Sequence, residues 1–375
     1  MQGLELYSIM FQKFRETHLF SFLHRLDRDG GALDWALKEY FKSHKSIGAH
    51  DRRFIGDTVY LLIRWKNLLD LALGREASWE ERYAARSILS NPPSELPLWA
   101  RCGATEWFYQ ELRSFLPEER AVKICRVLNE QAPVTIRANL LKTTREELLQ
   151  RLPCPAEACS MSKSGIRLME RIPLTALPEF KQGFFEIQDE GSQLVAELVE
   201  CLPGQQVMDY CSGSGGKTLA FAHLMQGRGQ IYLHDIRSHI LVEAKKRLRR
   251  AGIQNAQFLP PGHSRLNSLK NSLDWVLADV PCSGSGTYRR NPDMKWKMGE
   301  EQIQELLTKQ RMIVAEAAEY LRPGGRMVYA TCSIFERENE KQLENFPLEV
   351  EKVLRLDPKS GGHDGFFAAV LRKKL

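Results

Sequence analysis

Two cysteines occupy positions where a thiol can do covalent chemistry. The run Asp274-Trp-Val-Leu-Ala-Asp-Val-Pro-Cys-Ser-Gly-Ser-Gly reads as an apolar strand that ends on Asp279 and spills into a turn carrying Cys282. A second run, Met327-Val-Tyr-Ala-Thr-Cys-Ser, starts just after the Pro323-Gly-Gly turn and releases Cys332 at its end. A turn needs glycine, but nothing about a turn needs an aspartate and a cysteine three residues apart. The thiolate is the nucleophilic form of cysteine, and nearby positive charge or dipoles lower the pKa that controls it. Lys217, Arg289 and Arg290 are the candidates for that charge. The competing reading is two inert structural cysteines.

A third feature points to a ligand. Val207-Met-Asp-Tyr-Cys-Ser-Gly-Ser-Gly-Gly-Lys-Thr joins a strand to a helix, so Cys211, Ser212, Gly213, Ser214, Gly215, Gly216 and Lys217 form a turn of mostly small residues. Such a turn lets a ligand approach the backbone at the carboxyl end of an open sheet. It is not a P-loop, whose spacing would need a glycine at Cys211, nor is it GxGxxG. Further along, Ile231-Tyr-Leu-His ends in Asp235, an acid placed to bind two ribose hydroxyls or, more plainly, to cap the next helix. Turn, spacing and acid together favour a nucleotide cofactor.

These groups need a scaffold that brings strand ends together. From Glu186 onward, strands at Gln206–Tyr210, Gln230–His234, Ala256–Leu259, Trp275–Ala278, Arg326–Ala330 and Phe366–Arg372 alternate with helices at Gly216–Met225, Ile240–Ala251 and Gln302–Leu321. That alternation predicts a mostly parallel sheet covered on both faces. It sends both cysteines and the glycine turn to one sheet edge. Residues 131–185 read as a small α/β connector, with strands at Val134–Arg137 and Gly183–Ile187. Between them lie a helix at Arg145–Leu152, capped by Thr143 or Thr144, and a Pro- and Ser-rich stretch. Residues 1–130 read as all-helical, with apolar spacing over Ala32–Phe41, Arg53–Leu71, Ser78–Leu89 and Pro117–Leu128. The domains expected are therefore 1–130, 131–185 and 186–375.

Composition sets outer limits. A chain of 375 residues is long enough for two or three domains, and its net charge of +6 permits a polyanionic partner without demanding one. Met1 to Phe14 lacks the order of a signal peptide, and no run reaches the ~18 apolar residues of a membrane span. The eight cysteines are scattered, with no CxxC, which argues for reduced thiols in a cytoplasmic protein and against structural zinc.

Taken together, the motifs resemble the Nop/Sun (Fmu) family of RNA cytosine-5 methyltransferases. The resemblance rests on the glycine turn, Asp279-Val-Pro-Cys-Ser-Gly-Ser-Gly-Thr, Arg290-Asn-Pro-Asp-Met-Lys-Trp and Thr331-Cys-Ser. It also rests on Phe185-Glu-Ile-Gln-Asp-Glu-Gly-Ser-Gln and Asp364-Gly-Phe-Phe. Asp51-Arg-Arg-Phe-Ile-Gly-Asp-Thr-Val-Tyr is similar to a NusB-like RNA-binding domain, which precedes the catalytic part in bacterial members acting on 16S ribosomal RNA. The resemblance implies a Rossmann-like class I methyltransferase domain behind an all-α NusB-like domain, working as a monomer with S-adenosylmethionine and RNA and without metal.

It also implies roles. Cys332 would add to carbon 6 of cytosine, Cys282 would assist loss of the carbon 5 proton and enzyme release, and Asp279 would lie between methyl donor and base. Cys211 to Lys217 would hold the methionine moiety and Asp235 the ribose, while Arg289 and Arg290 would grip phosphates beside an unstacked base. The chain departs from the family at Gly213-Ser214, where Ala-Pro is usual. It departs again at Gly262, which stands where an aspartate normally contacts adenine, leaving that contact to His263 or the backbone.

Three rival readings differ in their residues. DNA cytosine-5 methylation would promote Cys282 and leave Cys332 idle. Adenine amino-methylation would want an aromatic residue where Cys282 stands. A non-catalytic RNA-binding factor would have no use for either cysteine. Transfer RNA remains an alternative substrate to ribosomal RNA.

Overall fold

In the computed structural model, residues 12–375 are described, together with the helical course of the backbone from Gln2. The reading of Met1 to Phe14 falls mostly outside the described residues. The chain forms two compact units: residues up to Gln131 with Tyr288–Gly299, and Ala132–Thr287 with Glu300–Leu375.

The first unit is helical. Its α-helices are α1 (Gln2–Asp29), α2 (Leu33–Ser43), α3 (Ala49–Arg64), α4 (Lys66–Ala72), α5 (Trp79–Ala84), α6 (Leu98–Arg101), α7 (Glu106–Arg113) and α8 (Glu118–Val127). Helical spacing places Leu33, Leu37 and Tyr40 of α2 on one buried face, and Ile55, Val59 and Leu62 of α3 on another. The single helix expected over Arg53–Leu71 breaks at Trp65, whose φ of −111° and ψ of 14° leave the helical region. Ser78 and Glu81 close a reciprocal capping box at the start of α5, satisfying backbone donors that would otherwise be orphaned.

Tyr288–Gly299 folds with these helices, although the sequence reading placed it in the catalytic domain. Side chains decide the matter. Buried Lys295 donates from Nζ to the carbonyls of Arg64 (2.7 Å) and Gly103 (2.6 Å) and to Asn129 Oδ1 (2.8 Å). Trp296 Nε1 donates to the Ile63 carbonyl at 2.8 Å, and the Tyr288 ring packs on Phe108. Burial, followed by the nearby Arg64 charge, pushes the Lys295 pKa well below the ordinary lysine value. Lys295→Met strands three acceptors, at ~1–3 kcal/mol for each group left unsatisfied. Urea unfolding is expected to show a loss of at least about 3 kcal/mol. A change below about 1 kcal/mol would mean that water replaces the ammonium.

The second unit carries two sheets. The smaller holds β1 (Val134–Ala138), β2 (Ala156–Ala158), β3 (Gly165–Leu168) and β4 (Phe185–Ile187), antiparallel in the order β2-β3-β1-β4, with α9 (Arg145–Arg151) and α10 (Pro178–Lys181). Thr144 caps α9 through a box with Glu147. The Pro- and Ser-rich stretch thus contributes two strands, β2 and β3, that its composition concealed.

The larger sheet holds β5 (Gln206–Asp209), β6 (Gln230–His234), β7 (Ala256–Leu259), β8 (Leu273–Asp279), β9 (Leu321–Thr331), β10 (Glu349–Leu356) and β11 (Phe366–Arg372) in the order β10-β11-β9-β8-β5-β6-β7. Strands β5 to β9 run parallel, whereas β11 is antiparallel to both β9 and β10. Its two faces carry separate apolar cores. One packs α11 (Glu190–Glu197), α12 (Thr218–Phe221) and α13 (Ser238–Ala251); the other packs α14 (Arg265–Ser268) and α15 (Glu300–Ala318), with α16 (Glu340–Leu343) at its margin. The chain winds outward from β5 through β6 and β7, then crosses to β8. The crevice beyond the carboxyl ends of β5 and β8 is therefore the topological switch point, where open α/β sheets bind ligands.

Candidate active site

The glycine turn leaves β5 at that switch point. Ser212 N donates to the His234 carbonyl and Gly213 N to Asp235 Oδ2, both at 2.9 Å, so the turn is stitched to the end of β6. Gly215 has a φ of +78°, and a Cβ there would meet Leu248 Cδ1 at 2.9 Å. Glycine at this position therefore lets the turn lie against α13. Arg247 of α13 donates to both the carbonyl and the hydroxyl of Ser214, and its guanidinium also pairs with buried Glu186 of β4.

Beside the turn lies a cavity of about 860 Å³. Of the residues expected to hold a cofactor, Cys211, Ser212, Gly213, Ser214, Gly216, Lys217, Asp235, Gly262 and Asp279 line it. Gly215 supports the turn from beneath. Gln188, Ile236, Arg237 and Arg247 also line the cavity, and sequence reasoning missed all four. Ile236 left a signal, because an apolar residue that is 78% exposed directly after the acid is hard to explain by packing. Arg237 left none. It pairs with Asp235 through Nε at 3.0 Å, and Asp235 also accepts from the Arg237 backbone. His263, offered as a stand-in for the adenine contact, instead accepts from Arg265 N on the neighbouring surface. Pro261, Gly262 and Leu266 line the cavity there, and none of them supplies a carboxylate.

The residues fit a nucleoside cofactor on polar grounds. Asp209 Oδ1 and Ser212 Oγ are buried without a hydrogen-bond partner, and both residues face the cavity. Such groups are costly unless something satisfies them. Burial pushes the Asp209 carboxyl up to about 7, against the hydrogen bond from Thr218. Asp235 would hold the ribose and the Cys211–Lys217 turn the methionine end. Asp235→Ala removes that acceptor and also releases Gly213 N. Calorimetry should then show S-adenosylmethionine affinity falling on the order of tenfold to a hundredfold, the weight of one or two charge-assisted bonds. Unchanged affinity would leave Asp235 as a helix cap.

Directly after Pro281, which lines this cavity, comes Cys282, and there the two thiols meet. Cys282 Sγ and Cys332 Sγ stand 3.3 Å apart. All eight cysteines are free thiols. The hydrogen bond with Cys332 is the largest influence on Cys282; burial and the charges of Cys332 and Glu338 add to it, holding Cys282 well above the ordinary thiol value. Lys217 pairs with Asp279. Burial opposes the Lys217 charge, but Asp279, Cys332 and Asp209 outweigh it and raise its pKa. Lys217, one of the three basic residues proposed from sequence to charge the thiols, is thus held by Asp279. Arg289 does not stand at a surface: it is fully buried, with no guanidinium surface for a phosphate, which corrects its expected role. Arg290 is half-buried.

The remaining motifs close around the same edge. Asp189 accepts from Gly191 N and from Asp364 N, tying the segment before α11 to the turn before β11. Gly286 and Gly365 cross so closely that a Cβ on Gly286 would lie 2.2 Å from the Gly365 carbonyl oxygen. Among the described residues, no cluster of three or more His, Cys, Asp or Glu could hold a metal ion, and no helix is long and apolar enough to cross a membrane.

A seven-stranded sheet with an antiparallel β11, a small-residue turn after β5 and an acid after β6 defines the Rossmann-like class of S-adenosylmethionine-dependent methyltransferases. Comparison with known proteins narrows the class. Residues 196–359 match the model of the 16S rRNA methyltransferase RsmB/F family, and residues 104–175 match the RsmF/B-like ferredoxin-like domain. Ribosomal RNA small subunit methyltransferase B of Pseudomonas putida is 30% identical over 300 residues, covering 73% of this chain and 67% of that protein. The Pseudomonas syringae protein of the same name is 30% identical over 305 residues, and the match spans 66% of its length, just under two thirds. A methyltransferase homolog protein from Pyrococcus horikoshii has a TM-score of 0.64 at 29% identity, covering 75% of this chain and 99% of that one. PH0851 has a TM-score of 0.79 at 24% identity over 95% of this chain and 97% of its own, a likeness of fold. The chain belongs to the 16S rRNA methyltransferase RsmB/F family.

Proposed function

We propose that this chain methylates carbon 5 of a cytosine in 16S ribosomal RNA, in the cytoplasm, through a transient bond between Cys332 Sγ and carbon 6. The observation that carries this reading is the contact of two free thiols at 3.3 Å beside an aspartate–lysine pair that lines the cofactor cavity. Attack by the Cys332 thiolate forms the S–C6 bond and moves a ring electron pair toward carbon 5, which becomes nucleophilic. Bound S-adenosylmethionine supplies an electrophilic methyl group on its sulfonium for that carbon. Cys282 then takes the carbon 5 proton, and the returning electron pair expels Cys332.

The pair is suited to that order. While Cys332 is ionised, its charge and hydrogen bond keep the proton on Cys282. Once Cys332 is a thioether, both influences disappear, and Cys282 gives its own proton to solvent before it acts as a base. Lys217 pairs with Asp279, and Asp279 is proposed to orient the exocyclic amine of the base. Arg290 and the helical unit, read as NusB-like, are proposed to hold the RNA.

The relatives named as ribosomal RNA small subunit methyltransferase B support ribosomal RNA over transfer RNA as substrate. The test is transfer of labelled methyl from S-adenosylmethionine to a 16S transcript, followed by digestion to nucleosides. Label in 5-methylcytidine is expected. Label only in methylated adenosine, or none, would overturn the proposal.

A further inference from the structure

Neither cysteine turn is held by its own strand alone. Two consecutive buried residues, Glu338 and Asn339, reach one turn each. The Glu338 carboxylate accepts from Ser283 N (2.8 Å) and from the Ser283 hydroxyl, directly after Cys282. It also accepts from Gln310 Nε2 (2.9 Å), which donates to the Pro281 carbonyl, directly before Cys282. Asn339 does the same for the other thiol. Its Oδ1 accepts from the Thr331 hydroxyl (2.6 Å) and its Nδ2 donates to the Ser333 carbonyl (3.0 Å), so the bonds fall on either side of Cys332. Both residues are fully buried. Neither touches the cavity that would hold the cofactor.

We infer that Glu338 and Asn339 are positioning residues that set the sulfur–sulfur separation, Asn339 governing the Cys332 step and Glu338 the Cys282 step. The inference rests on the covalent reading above. Because the two residues adjoin in the chain, a shift of one turn is transmitted to the other through a single peptide unit. Each still braces a different sulfur, so their loss should separate two steps that a general packing defect would slow together. A misplacement of about 1 Å can cost a reaction on the order of a hundredfold. Glu338→Gln keeps the brace, because the amide oxygen still accepts from Ser283 N and Gln310, and its nitrogen can donate to the Ser283 hydroxyl.

The test uses the full chain, S-adenosylmethionine and two 16S transcripts. One carries 5-fluorocytidine, whose fluorine cannot leave as a proton, so the adduct stays on the protein. The other carries ordinary cytidine and reports release. Asn339→Asp is expected to slow adduct formation on 5-fluorocytidine RNA on the order of a hundredfold. Its S-adenosylmethionine affinity by calorimetry should match wild type. Glu338→Asp is expected to form that adduct at the wild-type rate, yet to accumulate it on ordinary RNA, and Glu338→Gln should restore release. Asn339→Ser and Glu338→Ala replace either variant that fails to bind cofactor. Equal slowing of both steps in both variants, or no slowing in either, overturns the inference while a Cys332-dependent wild-type adduct upholds the covalent reading. Absence of any wild-type adduct overturns both.

Discussion

Replacing Cys332 with alanine is expected to abolish methyl transfer, with a loss on the order of a thousandfold or more in single-turnover rate. The reason is chemical rather than structural. Carbon 5 of cytosine is a poor nucleophile until a group adds to carbon 6, and no other thiol is placed to make that addition. Cys282 is the alternative, but in the variant burial and the Glu338 charge still hold its proton. The Cys332 side chain is small and only partly buried, and its backbone bonds remain in the variant. S-adenosylmethionine affinity should therefore stay near wild type by calorimetry, since Cys332 does not line the cofactor cavity. Retention of a tenth or more of the rate, about 1.4 kcal/mol of barrier, would mean that Cys332 is not the nucleophile.

Replacing Cys282 with alanine should have the opposite signature. Adduct formation survives, but removal of the carbon 5 proton and release of the enzyme fail, so a protein–RNA conjugate accumulates and resists denaturing electrophoresis. Turnover is expected to fall by on the order of a hundredfold or more, within the range ascribed to one general acid–base group. The Cys332 thiolate also loses the donor 3.3 Å away, so adduct formation itself should slow modestly. If Cys282→Ala formed no adduct while Cys332→Ala remained active, the roles would be reversed, as the DNA-type mechanism requires.

Much of the scaffold was legible because buried parallel strands leave a strong trace. Val207 and Met208 in β5, Val276 and Leu277 in β8, and Met327 to Ala330 in β9 are covered on both faces and read as continuous apolar runs. Strand β10, Glu-Val-Glu-Lys-Val-Leu-Arg-Leu, was missed because it lies at the sheet edge, where exposed charge conceals a strand and also discourages edge-to-edge pairing. The helix expected over Gly216–Met225 is cut to α12 and a 3₁₀ turn at Ala222–Met225. Residues 288–299 were misplaced for a different reason. The capture of Lys295 by carbonyls at Arg64 and Gly103 is a contact between distant parts of the chain, and no local pattern announces it.

The candidate site divides in the same way. Its turn and its thiols are local motifs, and they could be read. The supports around them are two long-range links, Arg247 between Ser214 and Glu186 and Glu338 on the turn of Cys282, and one turn closure, Arg237 on Asp235. Each joins residues on separate elements or closes a turn whose shape depends on the fold. The adenine side shows the converse. A missing acid at Gly262 was visible in sequence, whereas the place of Pro261, Gly262 and Leu266 in the cavity wall required the structure.

The central claim is that this protein places a methyl group on carbon 5 of a cytosine in RNA. It is tested most directly by mapping 5-methylcytosine across total RNA from cells with and without the protein. Loss of the modification at a defined cytosine of 16S ribosomal RNA, restored by the wild-type chain and not by Cys332→Ala, is the expected result. An unchanged map, or a loss confined to transfer RNA, would contradict it.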